Sequence, residues 1–338
     1  MAAQSTPKSS TTDPELGALL TRRFGGRGAV AAAATVSPEG TRVAVLGVPT
    51  DADLEIGSIS KGITGLLYAD ARVRGEVSGD TTLGEILPLG DSPAGSVSLD
   101  ALSTHSSGLP RLAPDTQVLR RSVDLWRKGI NPYGESLDEL LAQARKATLA
   151  APRPRYSNLG FELLGHAVAT AAGLDYQQLL AERLVEPCGL SSVYAPSRPS
   201  ELRQTAVFGR SRRGRIMRPW TGEAIAPAGG IRSSIGDLAG LVRALLDGEA
   251  LGMDALDPVK EFSGGTRIGA AWLTLDLRGT QITWHNGGTG GFRSCLALDR
   301  RTGTGVVMVS GNSRPVDGHA FRLLQGLTGS KKRGSGTR

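Results

Sequence analysis

The sequence predicts an α+β (α/β) protein in which one antiparallel sheet is assembled from both ends of the chain and flanked by helices, with a helical insertion subdomain between. Ala/Val-rich runs lie near the N-terminus, and four strand-like runs fill the last third. The stretch between them follows helical periodicity and carries capping residues. A single sheet drawn from both termini reconciles these observations. There is no internal repeat.

Residues 1–26 read as a disordered tail and lead-in, since Met1–Pro14 is rich in Ser, Thr and Pro. Thr21–Gly26, "TRRFGG", followed by "AVAAAATV", loosely resembles a twin-arginine export signal. The apolar run is short, however, and leads into "TRVAVLGV" as a first hairpin would, which favours a cytoplasmic protein with export left open. Ala29–Val36 and Thr41–Val48, separated by "SPEG", form that hairpin. Beyond Ser58, the residues Ile63, Leu66, Leu67 and Val73 follow the spacing of a buried helix.

Further helices are expected where "SLDE" at Ser136–Glu139 supplies a capping box for Leu137–Ala147, in "SNLGFELLGHAVATAAGL" ended by Gly173, and in "DYQQLLAERLVEPCGL". "SSIGDLAGLVRALLDG" at Ser233–Gly248 is another. The runs "RIGAAWLTLDL", "TQITWHN", "SCLALDR" and "GVVMVSG" read as strands, with "DRRTGTG" a hairpin turn, before a last helix over Gly318–Leu327. The chain of 338 residues thus reads as a single catalytic domain over 27–328 with the helical insertion at about 75–220, then a flexible basic tail over 329–338.

A hydrophobic content of 39% and a charged content of 21% are ordinary for a globular protein. The net charge of +7 comes from scattered arginines without an aromatic-interleaved basic stripe, so nucleic acid is not an expected partner. No apolar run has the length of a membrane span, so a membrane is not expected either. Cys188 and Cys295 lie far apart, with no histidine at ligand spacing, which argues against a disulfide framework and a metal site and suits two buried small hydrophobes.

Three short segments could carry chemistry. In "IGSISKG", Ile56–Gly62, a serine at the first turn of a helix lies on the same face as a lysine three residues later. Ser58 could merely cap the helix and Lys61 decorate it. Alternatively, Ser58 is a nucleophile whose alkoxide the helix N-terminus stabilises, and Lys61 takes its proton. In "RYSNLGF", Arg155–Phe161, a capping turn by Ser157 or Asn158 competes with a proton-shuttling Tyr156 beside a substrate-binding Asn158. In "TWHNGGTGGF", Thr283–Phe292, glycines after His285 let a substrate approach a strand edge and turn a backbone N–H toward an oxyanion. No dinucleotide or P-loop pattern is present, and no cofactor is called for.

In order, S-x-x-K, Y-x-N and H-x-G followed by glycines resemble the triple motif of the penicillin-recognising serine hydrolases, in the class C β-lactamase, D-Ala-D-Ala carboxypeptidase and serine esterase branch. "LSTHSSGLPRL" at Leu102–Leu112, "APAGGIRSSIGDLAGLVRALLDG" at Ala226–Gly248 and "GTGTGVVMVSGN" near the C-terminus extend the resemblance over Ala29 to Leu327. It implies the β-lactamase/transpeptidase-like fold. It also implies Ser58 as acylated nucleophile, Lys61 as its base or proton relay, and Tyr156 exchanging protons with Ser58 and the leaving group. Asn158 would bind Lys61 or a substrate amide, and His285 would occupy the place of the K-T-G lysine and bind substrate. The N–H groups of Ser58 and Gly288 would form the oxyanion hole, with Gly287 and Gly288 lining the substrate. His105 would be structural and His166 packed within its helix. No K-T-G and no Glu-based deacylation motif is recognisable, which argues against strong β-lactamase activity.

The expected activity is hydrolysis of a small-molecule ester, amide or peptide through a Ser58 acyl-enzyme. An acyltransferase or cyclising thioesterase is the alternative, and a non-catalytic binder or penicillin sensor the third reading. Part of the arginine-rich loop Arg198–Arg218, with Arg212 and Arg213, is expected to border the site and favour anionic acyl donors.

Overall fold

The computed structural model describes residues 12–112, 131 and 136–334. Eight strands form one antiparallel sheet: β1 Ala31–Ser37, β2 Gly40–Leu46, β5 Lys260–Ser263, β6 Thr266–Ile268, β7 Leu273–Leu277, β8 Thr280–Gly288, β9 Arg293–Asp299 and β10 Thr304–Ser310. Their order is β2-β1-β10-β9-β8-β7-β6-β5, so the N-terminal hairpin closes onto the last strand of the chain. A separate small ribbon pairs β3, Leu54–Glu55, with β4, Arg232–Ser233.

The central strands are buried on both faces, which explains why β10 reads as an unbroken apolar run rather than an alternation. Ala31, Ala33, Cys295, Val306 and Met308 pack on one side against helix α1, Pro14–Phe24, and helix α10, Asp317–Gly334. The residues between them, including Ala32, Ala34, Leu296, Val307 and Val309, face the larger core on the other side. There they meet α2, Ile59–Val73, and α9, Ile235–Asp247. The helical layer also contains α3 Leu83–Ile86, α4 Leu99–Ser103, α5 Leu137–Arg145, α6 Asn158–Ala171, α7 Tyr176–Leu180 and α8 Glu186–Cys188, the last two joined by a π turn over Ala181–Val185.

Local sequence explains most element ends. Ser136 and Glu139 form the capping box of α5, and Ser157 caps α6 by accepting the Gly160 N–H at 2.9 Å. Gly189 and Gly248, at φ of 64° and 75°, end α8 and α9 in the left-handed conformation that glycine adopts without a steric cost.

Several expectations are corrected. The lead-in before residue 26 contains α1, whose Leu16, Leu20 and Phe24 are buried on the sheet; Asp13 caps it by accepting the Leu16 N–H at 2.8 Å. The run after "TRRFGG", by contrast, is strand β1 of the expected hairpin with β2. "RIGAAWLTLDL" is two strands, because Ala271 takes φ of 69° and its N–H donates to Ser103 O, turning Trp272 inward. Strand β5 was not anticipated. The last helix starts at Asp317 and continues to Gly334, past the start of the expected tail. Residues 1–11 and 335–338, also assigned to tails, lie outside the described residues. Cys295 is buried and Cys188 partly so. Among the described residues no helix is long and apolar enough to cross a membrane.

Candidate active site

The turn that leads into α2 runs through Ile56, Gly57 and Ser58. Gly57 sits at φ of 54°, and a Cβ there would lie 2.6 Å from the Gly288 nitrogen. A Cβ on Gly287 would lie 2.1 Å from the Ile56 carbonyl and 2.8 Å from the Ser58 nitrogen. Backbone therefore meets backbone where the end of β8 passes this turn, an approach that only glycine on both sides permits. Ser294 of β9 secures the seam by donating its hydroxyl to Ile56 O at 2.6 Å.

Ser58 occupies the N-cap of α2 but makes no capping hydrogen bond with its side chain. That removes the purely structural reading of the residue, since a capping serine accepts an N–H two or three residues on. Its hydroxyl instead faces Lys61, whose Nζ lies 3.4 Å away. Lys61 is wholly buried, and its Nζ also donates to Ala228 O at 2.5 Å. The π turn Ala226–Gly230 that presents this carbonyl is tied to α2 by Thr64, which donates to Pro227 O at 2.7 Å.

Tyr156 lies over the same amine, with its ring centroid 4.9 Å from Nζ. The Tyr156–Asn158 segment is held by His105 in two ways. His105 O accepts the Arg155 N–H at 2.8 Å, and Nδ1 accepts the Ser157 N–H at 3.2 Å. Its ring also packs on that of Tyr156, with centroids 4.5 Å apart. Burial, with the Lys61 charge next in weight, holds the His105 imidazole well below its ordinary pKa, so it is neutral at pH 7.

Ser58, Tyr156, Asn158, Gly287 and Gly288 all line one cleft of about 510 Å³. His285 does not line it. Alternation along β8 sends His285 inward, where it is buried and its Nδ1 lies 2.7 Å from Asn286 O. Burial first and the Lys61 charge second push its pKa down to about 3. An uncharged imidazole thus stands where the resemblance expects a cation, and Asn286 reaches the cleft in its place. His166 is packed as expected, with Nε2 3.1 Å from Glu223 O.

The sequence reading missed Arg111, Trp220, Thr289, Arg293 and Asp317, which also line the cleft. Arg111 lies inside the "SGLPRL" segment and Arg293 directly after the third motif, so proximity in sequence was the available signal. None of the arginines from Arg198 to Arg218 lines the cleft; Arg212 acts indirectly, its charge bearing on Arg293. Beneath the cleft, the fully buried Arg232 pairs with Asp53 at 2.9 Å and with Glu55 at 3.2 Å, and Glu55 accepts the Trp220 N–H at 3.1 Å. Among the described residues no group of three or more His, Cys, Asp or Glu is arranged to hold a metal.

Comparison with protein families matches residues 17–326 to the β-lactamase family. The chain belongs to the β-lactamase family. A D-alanyl-D-alanine-carboxypeptidase/endopeptidase, AmpH of Escherichia coli strain K12, is 31% identical over 196 residues, which cover 56% of this chain and 47% of that protein. The chain spans about half the length of the curated relatives it first matches. Among solved structures, a class C β-lactamase mutant superposes with a TM-score of 0.77 at 19% identity, over 92% of this chain and 95% of that one. A β-lactamase/D-alanine carboxypeptidase of Pseudomonas syringae superposes with a TM-score of 0.74 at 19% identity, over 89% and 93%. These neighbours share the β-lactamase/transpeptidase-like fold with the family member described here.

Proposed function

We propose that this β-lactamase-family protein is a serine hydrolase acting through an acyl-enzyme on Ser58. The observation that carries the reading is the uncapped Ser58 hydroxyl beside the buried Lys61 amine, at the mouth of α2 and open to the cleft. Ser58 Oγ attacks the substrate carbonyl carbon while its proton passes to the Lys61–Tyr156 pair. The N–H groups of Ser58 and Gly288 receive the developing oxyanion, and the helix N-terminus adds a favourable field. The C–O or C–N bond then breaks and Tyr156 returns the proton to the leaving group. Water attacks the Ser58 ester by the reverse path, which releases the acid and restores the serine.

Similarity to a carboxypeptidase/endopeptidase supports a small ester, amide or peptide as substrate. The neutral His285 supports esterase- or carboxypeptidase-like chemistry over rapid β-lactam turnover. Intact-protein mass spectrometry after exposure to a penicillin and to an activated short-chain ester tests the proposal. Expected is an adduct of the acyl mass in the wild type that is absent in Ser58→Ala. Equal labelling of both proteins, or neither an adduct nor ester turnover in the wild type, would overturn it.

A further inference from the structure

Arg293 begins β9 directly opposite Gly288, whose N–H the proposed mechanism assigns to the oxyanion. Its side chain folds back over that glycine: a Cβ on Gly288 would lie 2.8 Å from Nη1. Nη1 donates to Thr289 O at 2.9 Å and to Phe292 O at 2.8 Å, which pins the guanidinium flat against the end of β8. Nε and Nη2 have no hydrogen-bond partner among the described residues, and no carboxylate there comes within ion-pair distance of the group. The Asp317 carboxylate shares the cleft but already accepts the Asn286 amide at 2.7 Å. Arg293 is therefore a half-buried cation on the cleft wall whose outer edge is unpaired.

Its surroundings add positive charge. Burial first and the Arg212 charge second disfavour the charged form of Arg293, and Asp317, the smallest of the three influences, favours it. Across the cleft, the Arg111 guanidinium lies 5.7 Å from the centroid of the Tyr156 ring. A substrate anion seated beside Arg293 would offset the Arg212 repulsion and satisfy a guanidinium edge suited to a carboxylate.

The geometry points to Arg293 as a specificity-determining residue that selects acyl donors carrying a carboxylate on the acyl portion, such as half-esters of short dicarboxylic acids. The assignment to the acyl portion follows from the two walls. The leaving group must reach Tyr156, on the helical wall, to collect its proton. The sheet wall with Arg293 is left to the part of the substrate that stays on Ser58. The inference rests on the acyl-enzyme reading, and the experiment separates the two.

The test compares the p-nitrophenyl half-ester of glutaric acid with p-nitrophenyl butyrate in the wild type, Arg293→Gln and Arg293→Lys. Because the leaving group is shared, the ratio of kcat/KM values cancels general losses of activity. The half-ester is expected to be preferred by the wild type, and Arg293→Gln to lower that ratio about 10- to 100-fold, the weight of one charge-assisted hydrogen-bonded contact. Arg293→Lys should restore part of it. An unchanged ratio would overturn the assignment. A second measurement does not need chemistry: binding of glutaric acid monoamide to Ser58→Ala, with and without Arg293→Gln. Expected is a similar 10- to 100-fold weakening. Loss of ester turnover with this weakening intact would refute the acyl-enzyme reading alone; equal binding to both proteins would refute the role of Arg293.

Discussion

The buried Nζ of Lys61 lies 3.4 Å from the Oγ of Ser58, within a helix whose buried residues are mostly apolar and pack against the sheet and the helical layer. A buried amine costs the fold several kcal/mol of desolvation unless its protons are engaged, and here Ala228 O and Ser58 Oγ engage them.

Removing this amine should therefore separate activity from stability. Lys61→Met keeps the length and most of the volume of the side chain while abolishing proton transfer. It should lower kcat by about 10²- to 10⁴-fold, with a thermal midpoint close to that of the wild type. Activity within about tenfold of the wild type would take Lys61 out of the proton path.

His105 should act as a positioning residue for Tyr156. Its left-handed backbone, at φ of 55°, is one that histidine and asparagine both adopt more readily than most residues, and the asparagine side-chain oxygen can also accept the Ser157 N–H. His105→Ala leaves that buried donor unmatched and should cost about 1–3 kcal/mol of stability. It should also reduce kcat about tenfold or more, through loss of the ring under Tyr156, while KM changes little. His105→Asn should recover stability more than kcat. Unaltered kcat in both variants would leave His105 a purely structural residue.

Acid should unfold this protein early. His105, His166 and His285 are buried and neutral, with pKa values held below the ordinary 6.5, that of His285 at about 3. Below pH 6.5 the unfolded chain binds protons that the folded chain refuses, so their contribution is complete above pH 6.5 and declines as pH falls toward 3. Each histidine removes about 1.4 kcal/mol per pH unit within its window. Burial raises the pKa of Glu55 above 4.5, which works in the opposite sense, but one carboxyl opposes three imidazoles. Urea midpoints at pH 7.5, 6 and 5 should fall in that order, and His285→Asn should flatten the decline. A constant midpoint would contradict the burial of neutral imidazoles.

The Arg232 cluster should be unforgiving of single changes. Arg232→Met strands Asp53 and Glu55 in the interior and should cost about 3–5 kcal/mol. Glu55→Gln should be milder, because the amide oxygen can still accept the Trp220 N–H and burial already works against the charge on the carboxyl. Denaturant titration of the two variants checks this; an Arg232→Met loss below about 1 kcal/mol would show that the pairing contributes little.

Much of the architecture was legible because it is written in local patterns. The Ala/Val runs of β1 and β10, the capping boxes and the glycine stops need only neighbouring residues to be read. The spacing of Ser58 and Lys61 and the segment Tyr156–Asn158 were legible for the same reason. Helix α1 was hidden by polar residues at its start, and the break before Trp272 by an alanine forced into a left-handed conformation through tertiary contacts.

Local patterns were enough to place most strands and helices in chain order, the three motifs and the residues of the candidate catalytic pair. It could not say whether Ser58 caps α2 or faces a cleft, that His285 turns inward and loses its charge, or that Arg293 lies over Gly288. These emerge in the folded chain alone, because each depends on strand register, on backbones meeting across a seam of glycines, or on desolvation. Those quantities arise between segments far apart in the chain, and no local pattern encodes them.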